Sequence, residues 1–140
     1  MKKKPHRDPP GTATFPVPVY SGRVLFCLSE KAWGDAYKGL TGLEEKHGNN
    51  YGLSTRIADD KQRSVYLVGV FDNGQSTLVH ELVHTTFAIL SHSGVPITRR
   101  NDEAFAYLMD SLYSGCLDAW KNIRRRKRKK PKTATVAVTL

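Results

Sequence analysis

The sequence predicts an α+β domain in which a small, mainly antiparallel sheet packs on two helices. Three observations carry that expectation. Leu53–Ala58 and Ser64–Phe71 are rich in β-branched and apolar residues and are joined by the polar turn Asp59-Asp60-Lys61-Gln62-Arg63, which is the pattern of a hairpin. Ser76–Leu90, STLVHELVHTTFAIL, is apolar on nearly every side and reads as a core helix. Phe105, Leu108, Met109, Leu112, Tyr113, Leu117 and Trp120 then recur at three- and four-residue spacing, giving a second helix with one apolar stripe. A chain of 140 residues suits a single domain with one core.

Taken in order, residues 1–18 hold five of the seven prolines. Proline fixes φ and removes a donor, so this segment is expected to be an extended arm. Val19–Leu28 (VYSGRVLFCL) is the first expected strand, with Gly22 marking a bulge. Ser29 is placed to cap a helix through Trp33 and Tyr37 towards Glu45, weakened by Gly34, Gly39 and Gly42. His47–Gly52 is loop by composition. Ser64–Phe71 is almost continuously apolar, which predicts a central strand covered on both faces. Asp72-Asn73-Gly74 is a turn, and Ser76 is the expected N-cap of the following helix. Gly94 ends that helix, Val95-Pro96-Ile97 connects, and Asn101 or Asp102 caps the next. That last helix is expected to fray into a basic run, which Pro131 breaks. Thr133–Leu140 reads as a short extended peptide. The expected organisation is an N-terminal arm (1–18), a metal-binding domain (19–120) and a polybasic C-terminal tail (121–140).

The net charge of +9 is unevenly spread. Residues 121–132 carry nine cations and no acid, and residues 1–8 carry a net +3, which leaves the body at −3. A mildly acidic domain with cationic ends points to an anionic partner, either nucleic acid or an acidic assembly surface. The dense part is Arg124, Arg125, Arg126, Lys127, Arg128, Lys129 and Lys130. No aromatic residue interleaves it, so binding should be sequence-indifferent and salt-sensitive. No run of 18 apolar residues is present, which excludes a membrane-spanning helix, and the basic start lacks the apolar stretch of a secretory signal. Cys27 and Cys116 have no Cys or His partner at metal-binding spacing and read as buried, reduced thiols. A cytoplasmic location, or one inside a virion, is expected.

Within the first helix His80, Glu81 and His84 spell H-E-x-x-H. Residues four apart share a helix face, so the two imidazoles can meet one metal ion, with Glu81 beside them as a general base for a metal-bound water. A catalytic zinc takes three protein ligands and leaves the fourth position to water. His92 follows His84 by eight residues, about 12 Å along a continuous helix, which is too far for one ion. His47 lies in an upstream loop without a supporting pattern. Glu103, at the start of the next helix and after a Gly-Val-Pro turn, is the expected third ligand.

VHELVHTTF followed by NDEAFAYLMD resembles the gluzincin branch of zinc metallopeptidases, where H-E-x-x-H on one helix is completed by a glutamate opening a later helix. The resemblance covers residues 76–110. The stretch ILSHSGVPITRRNDEAFAYLMDSLY is also similar to short H-E-x-x-H proteins encoded by tailed bacteriophages. The gluzincin resemblance implies a minimal zincin-like fold, one zinc ion held by His80, His84 and Glu103, and peptide hydrolysis with Glu81 as base. In that family pattern an aspartate one turn beyond the ligand glutamate orients a histidine; here the position holds Tyr107. Asp110, two turns on, is a candidate for that orienting role, and Tyr107, Tyr113 and His92 are candidates for stabilising the oxyanion. The substrate peptide would lie along an edge strand, for which Leu53–Ala58 is the expected one. The alternative is a structural virion component of head or tail assembly, or a nucleic-acid-associated protein, with a structural or relict zinc site.

Overall fold

The computed structural model describes residues 7–45 and 50–129. His47, Lys130 and the expected extended peptide Thr133–Leu140 lie outside the described residues. The elements are β1 (Thr12–Pro16), β2 (Arg23–Cys27), α1 (Glu30–Thr41), β3 (Gly52–Ala58), β4 (Ser64–Val70), α2 (Gln75–His92) and α3 (Asp102–Lys129). The fold is α+β.

The four strands form one mixed sheet in the order β1-β2-β4-β3. β1 pairs antiparallel with β2 and β3 antiparallel with β4, while β2 and β4 run parallel. Both central strands are covered on their two faces, and their residues alternate accordingly. Val24 and Phe26 of β2, with Tyr66, Val68 and Val70 of β4, point to the core shared with α2 and α3. Leu25, Cys27, Val65 and Leu67 point the other way, onto Ala32, Trp33 and Ala36 of α1. The sheet is thus sandwiched between α1 on one side and the α2–α3 pair on the other. Burial pushes the Cys27 and Cys116 thiols well above their ordinary range, so both are inert apolar filling. Among the described residues no helix is long and apolar enough to cross a membrane.

Several boundaries differ from the sequence expectation for physical reasons. Thr12–Pro16 lies in the stretch expected to be an arm, yet it forms β1. An edge strand tolerates proline at its end, and Thr, Ala, Thr and Phe supply the strand between Gly11 and Pro16. β2 starts only at Arg23, because Val19 has φ 67° and Gly22 φ 109°, which no strand allows. Ser29 caps α1 as expected, its hydroxyl accepting from Ala32 N at 3.1 Å, but the helix stops at Thr41 on a left-handed Gly42. Gly74, not Ser76, is the N-cap of α2. The carboxylate of Asp72 already accepts from Gly74 N (3.0 Å) and from the Thr77 hydroxyl (2.6 Å), so the turn is closed before Ser76 is reached. α3 does not end at Trp120 but continues through the basic run to Lys129, with Ala119, Trp120 and Ile123 still in the core. Arg and Lys are good helix formers, and cations are favoured at a helix C-terminus.

Asp59 holds the β3–β4 turn. Its buried carboxylate accepts from Lys61 N (3.0 Å), Arg63 N (2.8 Å), Arg63 Nε (3.0 Å) and Arg23 Nη1 (3.1 Å). Led by the bond from the Arg63 amide, these hold its pKa down to about 2.

Candidate metal centre

α2 lies along edge strand β3 and runs in the same direction. Gly52, at the start of β3, faces Thr77 and Glu81, whereas Arg56, near its end, reaches His92 with Nη2 3.2 Å from Nε2. Leu78, Leu82, Ile89 and Leu90 of α2 are buried against the sheet and α3. Each such side chain contributes about 1.5–3 kcal/mol by burial, which makes α2 a stiff mount.

On that mount His80 and His84 are exposed, one turn apart, with ring centroids 4.9 Å apart and Nε2 atoms 3.3 Å apart. Two nitrogens bound to one tetrahedral ion at about 2.05 Å would stand about 3.35 Å apart. The pair is therefore spaced for a shared ion, and imidazole nitrogen is a ligand chemistry that zinc accepts. Without a metal, one ring donates to the other across the same gap.

Glu81 faces inward instead. It is 7% exposed, its Cγ lies over Gly52, and its carboxylate accepts no hydrogen bond from the described residues. Its carboxylate oxygens keep contact with solvent, so water satisfies them. Between β3 and α2, beside His84, lies a small cavity of about 40 Å³ whose walls include Ser54, Arg56, Tyr66 and Thr85. That volume admits about one water.

Glu103 does not join the histidines: among the described residues no three His, Cys, Asp or Glu side chains are arranged to hold one ion. The helix register explains why. Phe105 packs edge-on to Phe87 (centroids 5.1 Å), the Thr86 hydroxyl meets Met109 Sδ at 3.6 Å, and Arg124 bonds Asn73, so α2 and α3 run antiparallel. At about 1.5 Å of rise per residue, Glu103 stands roughly 10 Å beyond His84 along the shared direction. Side chains also lean towards their own helix N-terminus, which tilts the two residues apart. In this register Met109 and Asp110 are level with His84.

The other candidates are dispersed. Tyr107 is 70% exposed and Asp110 is exposed, whereas Tyr113 packs half-buried against the core. His92 meets Arg56, its Nε2 accepting from the guanidinium at the far end of α2, two turns beyond His84. Of the basic run, Arg124 through Lys129 lie on the last turns of α3, away from the histidine pair. Sequence reasoning passed over Gly52, Ser54, Arg56 and Tyr66, the β3–β4 residues beside α2. Only the glycine at the strand start gave a signal, and a glycine after a loop is easily read as part of the loop.

No protein family, curated protein or solved structure matches the chain.

Proposed function

We propose that the chain is a zinc-dependent peptide hydrolase in which His80 and His84 supply two of the ion's protein ligands and Glu81 takes the proton of the attacking water. One observation carries this reading: two imidazole nitrogens 3.3 Å apart on the exposed face of a helix anchored in the core, with the Glu81 carboxylate on the adjoining face. A bound zinc would polarise the scissile carbonyl and bring its water's pKa near ~7.

The chain's own residues do the rest. β3 is an open sheet edge beside α2, suited to hold an extended peptide by main-chain hydrogen bonds. The pairing would run the peptide past His84, with Glu81 behind the water. Glu81, largely shielded from solvent, would pass the proton it accepts to the departing amine.

Metal analysis of the purified full chain tests the site. About one zinc per chain is expected, and His84→Ala should lose it; a zinc-free wild type overturns the reading. Cleavage of an unstructured protein such as casein tests the chemistry. Glu81→Gln should keep its zinc and cleave nothing. A wild type that holds zinc but cleaves no peptide leaves a structural centre, as expected of an assembly component.

A further inference from the structure

A second cavity lies on the opposite sheet edge from the histidines, between β1 and the C-terminal turns of α3. It is a cleft of about 600 Å³ whose walls include Arg7, Thr14, Phe15, Asn122, Arg125 and Arg126, with Asp8 and Asp118 as its acids. Asp8 is occupied in accepting from Thr14 N at 3.3 Å. The helix beside the cleft is held firmly. Ile123 is buried, Arg126 donates to the Thr12 carbonyl, Arg124 donates to Asn73, and the Arg124 guanidinium sits 5.3 Å over the Trp120 ring.

Among the described residues none of the cations from Lys121 to Lys129 is paired with an acid. Along the helix they repel one another instead: Lys121 with Arg125, Arg124 with Arg128, and Arg125 with Lys129 are like charges four residues apart. Such a segment is stabilised by whatever anion neutralises it.

We propose that this cleft and the cationic end of α3 bind the phosphodiester backbone of a nucleic acid, without reading its bases. Two features favour a phosphate chain over an acidic protein. Arg125, Lys127, Arg128 and Lys129 are all exposed and spread over about half of the helix circumference at 100° steps, the rest being held to the body by Ile123 and Arg126. Such a convex, densely cationic ridge suits the row of charges along a phosphate chain. The segment also exposes no apolar or aromatic anchor, since Ile123 and Trp120 are buried, and protein interfaces need such anchors at their centres. Guanidinium forks match phosphate oxygens in pairs, and the wall residues Arg7 and Arg125 supply two, Arg126 being held by the Thr12 carbonyl. The site is independent of the metal reading.

Fluorescence anisotropy of the full chain with a labelled random-sequence DNA duplex tests the proposal, beside a poly-glutamate peptide of similar charge. With about five phosphates contacted, affinity should fall about 500-fold between 50 and 200 mM salt. Arg125→Ser combined with Lys129→Ser removes two contacts without touching the core. It should weaken binding about 50-fold at 0.1 M salt and flatten the log–log salt slope by about two. His84→Ala should bind the duplex as wild type does. Absence of duplex binding at 50 mM salt, tighter binding of poly-glutamate, or an unchanged slope in the double variant, with helicity preserved by circular dichroism, each overturns the proposal.

Discussion

Gly52 and Glu81 meet across the gap between β3 and α2: a Cβ at Gly52 would sit 3.0 Å from Glu81 Cγ, 2.7 Å from Thr77 Cγ2 and 2.8 Å from the Gly69 carbonyl oxygen. The last of these is backbone of the neighbouring strand and has nowhere to go. Gly52→Ala should therefore destabilise the fold by about 1–3 kcal/mol, the usual cost of overpacking, read as a lower denaturant midpoint at unchanged slope. It should also impair Glu81-dependent cleavage beyond the loss of folded protein, because the carboxylate is the group displaced.

Glu103 stands apart from the histidines, so the two metal variants should not be equivalent. His84→Ala removes one of a converging pair and should release the zinc. Glu103→Ala should weaken zinc by less than His84→Ala does, measured by chelator competition. Equal losses would mean that the first turn of α3 closes onto the ion.

Asp59 titrates in the folded state near a pKa of about 2, below its unfolded value of ~3.9. Its contribution to stability is complete above ~4 and is lost as pH falls through about 2. Asp59→Asn should unfold more readily at neutral pH and show less further loss between pH 4 and 2 than wild type. Chemical unfolding repeated across that window measures the difference.

Tyr66 is 1% exposed and its hydroxyl has no hydrogen-bond partner among the described residues. Tyr66→Phe should be neutral or stabilising by up to about 1 kcal/mol in thermal unfolding, the reverse of the loss expected for a bonded tyrosine.

Much of this was legible from local pattern. The β3–β4 hairpin, the fully buried β4 and the helix carrying His80 and His84 are each written in one contiguous stretch, and each is found within a residue or two of where the pattern puts it. β1 was hidden because prolines surround it, and proline speaks against a strand everywhere except at an edge, a fact of topology that residues 12–16 cannot disclose. The end of α3 reads from sequence as fraying into the basic run, whereas Ile123, Arg124 and Arg126, whose contacts are all distant in sequence, anchor that end to the body. The place of Glu103 depends on how two helices slide past each other. Phe87, Phe105, Thr86 and Met109 decide that register, and no spacing along the chain encodes it.

The two rims of the sheet are not alike. On the β1 side the Thr12 carbonyl is taken by Arg126, and Phe15 lies against Gly115 of α3, so α3 stands beside that margin and bonds its first carbonyl. Among the described residues no strand pairs with the outer edge of β3. Any foreign strand that extends this sheet, whether a cleavable segment, an assembly partner or a second copy, is thus steered to the margin where His84 waits. Growth there would also cover His84, so under the proposed hydrolase reading self-association at high concentration should compete with peptide binding at β3.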